Sequence, residues 1–151
     1  MNGPKLLFVA SWVLLLLVSA VIAIGSLWSL RVAYFRPADN LSRTVSIEDI
    51  RSIGGDEAVQ DYRGRRATAA TWALGYAILS GLIAAFPYRR GERWSWWALF
   101  LSMGLSQVLS LARVVALGAT LGAGTAGSLF AFFLLALLAG MPRMFFLSSD
   151  L

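Results

Sequence analysis

Long apolar runs set the pattern of this chain. They occupy residues 6–30, 67–86, 94–117 and 125–141, and charged or glycine-rich breaks separate them. About 18 or more continuous apolar residues read as a transmembrane helix, because about 20 residues are needed to cross about 30 Å of hydrocarbon. The first three runs meet that length. The fourth lies at its lower limit and can extend into the glycines at 122–124. None of the runs alternates with period two, and lipid offers backbone N–H and C=O groups no partner. Each run therefore predicts a helix closed by its own hydrogen bonds, not a barrel strand. The expected fold class is an all-α membrane protein, a four-transmembrane-helix bundle in one integral membrane domain over 1–151, with a short helical cap in the first loop.

The finer pattern predicts the ends of these elements. In the first run the polar positions are Ser11, Ser19, Ser26 and Ser29, and Trp12 and Trp28 stand near its two ends. Such a helix faces lipid or packs lightly, with serines bonded to their own backbone. Lys5 and Val18-Ser19-Ala20 resemble the start and cleavage site of a secretory signal. Signal cores span only about 7–15 apolar residues, so this longer run predicts a retained helix. In the polar stretch 31–66, Arg36-Pro37 stops a helix. Ser46-Ile47-Glu48-Asp49 fits a capping box. A short helix over 47–53 should end at Gly54-Gly55, after which Asp56 caps a helix entering the membrane. Ile47, Ile50 and Ile53 would form a narrow apolar stripe on it. Pro87–Trp94 reads as a tight charged turn, 118–127 as a hairpin connection, and Pro142-Arg143 as the end of the fourth helix.

Composition narrows the chemistry. The chain has no cysteine and no histidine, which excludes thiolate catalysis, a serine–histidine–carboxylate triad and imidazole-ligated metal or haem. No metal or other cofactor is expected. The net charge is +5, yet the basic residues collect at the ends of apolar runs, where they would meet lipid headgroups and not nucleic acid. The 31–66 stretch holds Arg31, Arg36, Arg43, Arg51, Arg63, Arg65 and Arg66 against Asp39, Glu48, Asp49, Asp56, Glu57 and Asp61. These signs nearly cancel and predict a self-paired, solvated cap, with a protein-docking surface as the functional alternative.

Three constellations are candidates for function. Ala69, Ala73, Ala77, Gly81 and Ala85 recur every fourth residue, so one helix face carries only small side chains and admits a second backbone. Arg89, Arg90 and Arg93 beside Trp94, Trp96 and Trp97 make an interfacial anchor, and a contact from these arginines to lipid phosphate is its functional form. Ser102, Ser106 and Ser110, with Arg113 on roughly the same side and Gln107 about 100° around, form a polar stripe in the third run. Arg113 either snorkels to the interface or meets an anionic ligand. The leading expectation is a non-catalytic membrane module, an accessory or scaffold subunit that self-associates or joins another membrane protein through the small-residue face. The alternative is a lipid or amphiphile binder whose groove ends at Arg113. An enzyme using Glu48, Asp49 or Glu57 is a third reading. Four crossings place both termini on one side, with Lys5, Arg89, Arg90, Arg93 and Arg143. A plain count of basic residues favours the loop side as cytoplasmic. The undiluted 89–93 turn favours the termini, and that is the orientation expected.

With the loop and the four-helix plan, the stretch PYRRGERWSWW at 87–97 resembles small uncharacterised bacterial four-helix membrane proteins of the DoxX-like or DUF4345-like kind. The resemblance implies a bacterial plasma membrane and no established catalytic residues. Such proteins can carry histidines in their later helices; this chain has none, so metal or quinone chemistry does not carry over.

Overall fold

The structure, a computed structural model, describes residues 3–35, 46–118 and 123–146. These residues are helical, with no strand among them. Helix α1 spans Gly3–Phe35 and α2 spans Ile47–Ile83, running on into a π-helical turn at Ala84–Tyr88. Helix α3 is Arg93–Leu99, joined through a second π turn at Phe100–Gly104 to α4, Leu105–Leu117; α5 is Ala123–Phe145. Four segments are long and apolar enough to cross a membrane: Lys5–Phe35, Ile47–Tyr88, Arg93–Val114 and Gly124–Phe145.

Several predicted ends hold. The backbone N–H of Asp49 donates to Ser46 Oγ at 3.1 Å, and the Ser46 N–H donates to the Asp49 carboxylate at 2.8 Å, a reciprocal cap on the first turn of α2. Gly55 breaks α2 with φ 68° and ψ −166°, a conformation open to a residue without Cβ, so the cap helix and the long helix are separate pieces. Gly118 ends α4 with φ 64° while its N–H reaches Val114 O at 3.1 Å. The predicted stop at Arg36-Pro37 lies outside the described residues.

Both proline boundaries differ from expectation. Pro87 does not open the turn. It sits inside the first π turn, and the chain reverses only at Arg89–Gly91, closed by Gly91 N–H to Tyr88 O at 2.9 Å and Glu92 N–H to Pro87 O at 3.0 Å. A π turn bonds each N–H one residue further back, which accommodates a ring that would collide with the i−4 carbonyl of an α-helix. Pro142 does not end α5 either; the helix continues to Phe145. Proline withdraws one donor, and near a terminus a single lost bond does not end the helix.

The chain divides into two compact units, Met1–Ala20 with Ile78–Leu151, and Val21–Ala77. In the first, α5 packs along α3, the second π turn and α4. Its core holds Phe8, Leu15, Leu99, Met103, Phe133, Leu137 and Met144, each almost completely buried. The buried positions follow a three-and-four spacing: Phe8, Ser11, Leu15 and Val18 on α1, and Phe133, Leu137, Gly140 and Met144 on α5. That is the narrow seam of left-handed helix pairing. In the second unit Val32, Ala33, Ile47, Val59, Ala67 and Ala70 are buried. There Arg63 donates to Ala33 O at 2.8 Å and Tyr34 O at 3.1 Å, and Arg66 donates to Ser29 Oγ at 3.1 Å. Arg63 thereby donates to two carbonyls in the last described turn of α1, where helical carbonyls commonly need a side-chain donor.

Large apolar side chains are not confined to the core. Ser11, Ser19, Ser26, Ser80, Ser95 and Gln107 are buried, whereas Leu17, Ile24, Leu79, Leu105, Leu109, Leu135 and Leu138 are each more than half exposed. The buried hydroxyls are accommodated: Ser19 donates to Leu15 O at 3.0 Å and Ser26 to Ile22 O at 2.8 Å, the bonding to their own backbone expected for the first run.

Candidate functional site

The richest chemistry lies in the first unit, where the start of α1, the turn after α2, the start of α3 and the end of α5 come together. Lys5, Phe8 and Trp12 lie three and four residues apart on α1 and so share one face. Phe8 is buried and stacks on Tyr88, with centroids 5.8 Å apart and planes within 8°. The Arg143 guanidinium lies 4.3 Å from the Phe8 ring centre, and that of Arg89 lies 5.0 Å from Trp12. Both are within the range of cation–π attraction. Arg93 donates to Met144 O at 2.9 Å, which bonds the start of α3 to the last turn of α5.

Beneath these cations is a buried hydrogen-bonded triplet. Ser11 Oγ donates to Ala136 O at 2.7 Å and lies 2.6 Å from the Tyr88 hydroxyl. A serine hydroxyl has one proton, so with Ala136 O as its acceptor the Tyr88 O–H must donate to Ser11. Three elements, α1, the first π turn and α5, meet at this point. Gly140 makes the meeting possible: a Cβ there would lie 1.9 Å from the Tyr88 oxygen and 2.6 Å from Ser11 Oγ.

The predicted anchor divides into two kinds of residue. Trp94 and Trp97 are about half exposed, and Trp94 Nε1–H donates to the Glu92 carboxylate at 2.6 Å. Trp96 is buried; its N–H donates to Leu137 O at 3.1 Å and its ring stacks on Phe100 at 5.2 Å. Trp96 is thus a packing residue, and Arg93 is held by a carbonyl. Arg89 and Arg90 are exposed.

The small-residue face is covered unevenly. Ala69 is exposed, Ala73, Gly81 and Ala85 are half-buried, and Ala77 is buried. A Cβ on Gly81 would lie 3.6 Å from that of Ser19, an ordinary contact. The most buried line on α2 and its π turn runs through Ala67, Ala70, Ala77, Ser80, Ala84 and Tyr88, a three-and-four spacing in place of strict fours. Of the polar stripe, Ser102, Ser106 and Arg113 are exposed, Ser110 is half-buried, and Gln107 is buried. The packed side of α4 is therefore the one that carries Gln107. Ser102 donates to Ala98 O at 2.6 Å and Ser106 to Met103 O at 3.3 Å. Ser102 sits inside the second π turn and Ser106 just beyond it, so the register differs from that of an unbroken helix.

Two arginines of the charged cap are paired with its own acids. Arg51 meets Asp56 at 2.9 Å and Arg65 meets Asp61 at 2.8 Å, all at exposed positions. The Ser46 backbone N–H, and then its hydroxyl, hold the Asp49 carboxyl below its usual range. Among the described residues no three acidic side chains converge as metal ligands would. Sequence reasoning missed the capping role of Arg63, the Ser11–Tyr88 bond and the two cation–π pairs. The shared face of Lys5, Phe8 and Trp12 was the signal for the last of these, but it names no partner until α5 and the turn are in place. Comparison with family models, with curated proteins and with solved structures found no match.

Proposed function

We propose that the chain is a four-helix bundle resident in a bacterial plasma membrane, with both termini on the cytoplasmic side. We further propose that it acts there as a non-catalytic accessory or scaffold subunit. The observation that carries this is the apolar exterior: leucines and isoleucines face outward as well as inward, and a few serines and a glutamine join the apolar seams. In water such a surface would drive aggregation, and in lipid it is the solvated side. The cluster of Lys5, Arg89, Arg90, Arg93 and Arg143 at one end supports the orientation, since basic residues beside short turns favour the cytoplasmic face.

Assembly is proposed to use the uncovered part of the small-residue face, Ala69 and Ala73, against a second copy or another membrane protein. Small side chains permit close backbone approach, and dispersion then replaces the hydrophobic drive that lipid does not supply. Ala69→Leu and Ala73→Leu should reduce the assembled species seen after mild-detergent extraction while helix content stays unchanged. Ala77→Leu, at a buried position, should instead lower thermal stability. An unchanged assembly size in both Ala69→Leu and Ala73→Leu removes this face from the account.

A further inference from the structure

We propose that Arg89 and Arg143 form a built site for the phosphodiester of an anionic phospholipid headgroup, on the Lys5–Phe8–Trp12 face of α1. The inference rests on the membrane reading above and adds a ligand class and two residues to it. The side chains are held in place: Arg89 lies 5.0 Å from the centre of Trp12 and Arg143 4.3 Å from that of Phe8. Phe8 and Trp12 are one helical turn apart, so the two guanidiniums stand against the same short stretch of α1, and Lys5 adds a third positive charge to that face.

A guanidinium carries five N–H donors. A ring face engages the cation but accepts none of these donors along its fork. Among the described residues no carboxylate or carbonyl accepts a hydrogen bond from Arg89 or Arg143. Arg93, the first residue of α3, differs because it donates to Met144 O. The nearest acid in sequence, Glu92, accepts from Trp94. Arg89 and Arg143 are therefore oriented, charged and still able to donate in forks. An acceptor that suits two such forks is a singly charged oxyanion with several oxygens at headgroup depth, which describes a phosphodiester. Tryptophans 94 and 97, half exposed, are suited to the same depth.

The test uses the full chain. Flotation with vesicles of phosphatidylcholine alone comes first, because membrane association without any anionic lipid reports on the membrane reading and not on this site. Native mass spectrometry from an equimolar phosphatidylcholine and phosphatidylglycerol mixture then reads lipid retention. The wild type should retain phosphatidylglycerol in preference, and Arg89→Gln and Arg143→Gln should each reduce that preference about fivefold. Arg65→Gln, in the self-paired cap, should leave it unchanged. Arg89→Lys with Arg143→Lys keeps the charge and loses the fork, and should lose most of the preference; circular dichroism of each variant checks folding. Retention equal to wild type in the lysine pair overturns the site, because a diffuse positive field would then suffice. Displacement of the retained lipid by millimolar inorganic phosphate overturns the assignment to lipid.

Discussion

At the scale of single residues, the contact between Ser11, Tyr88 and Gly140 is the most exacting in the protein. Ser11 serves two partners, donating to Ala136 O and accepting from Tyr88, whereas Tyr88 serves one. Ser11→Ala therefore strands a tyrosine hydroxyl and removes the side-chain donor that Ala136 O has among the described residues. Tyr88→Phe leaves the serine with its acceptor. The serine change should cost more, about 1–2 kcal/mol against less than about 1 kcal/mol for the tyrosine change. Gly140→Ala should exceed both, since no shift of a few tenths of an ångström clears a 1.9 Å approach. Thermal unfolding in one detergent orders the three variants; a tyrosine variant less stable than the serine variant would contradict this bonding. Little of the contact was legible in advance. Ser11 read as a serine bonded to its own backbone, which Ser19 and Ser26 are, and a hydroxyl pattern on one helix carries no record of a tyrosine 77 positions away.

At the scale of elements, local chemistry near the helix ends was legible wherever the deciding groups are close in sequence. The Ser46–Asp49 cap and the break at Gly55 each follow from a few adjacent residues, and both formed as expected. Pro87 and Pro142 did not end their helices, because a π turn absorbs the first and the second removes only one bond near a terminus. The same π geometry displaced the reading of the polar stripe: an ideal helix keeps Ser102, Ser106 and Ser110 aligned, and an inserted turn does not. The cap also has a pH signature. Asp49 is held below its ordinary pKa by Ser46, so its ionised form favours the folded helix start. That contribution is complete above the unfolded carboxyl pKa and is lost as pH falls through the lowered folded value. Protection of the amides in the first turn of α2, taken relative to the intrinsic exchange rate at each pH, should therefore fall under acid in the wild type, with a smaller change in Ser46→Ala. Equal acid sensitivity in the two proteins would show that the cap does not depend on this carboxylate.

At the scale of the whole molecule, the four apolar runs were plain in the sequence because the capacity to cross about 30 Å of hydrocarbon is set by length and composition alone. Which residues face inward was only partly legible. The strict fourfold spacing of Ala69 to Ala85 pointed to one stripe, whereas the buried positions follow the three-and-four spacing of paired helices. The apolar exterior is the property on which the rest of the account depends, and the absence of cysteine from the sequence makes it directly measurable. Single cysteines placed at Leu17, Leu79, Leu109 and Leu135, each more than half exposed, can carry a nitroxide label in reconstituted bilayers. The account predicts that all four are reached readily by molecular oxygen and poorly by a water-soluble nickel chelate. High nickel accessibility at these positions, comparable with that of a label at exposed Glu57 in the cap, would contradict it.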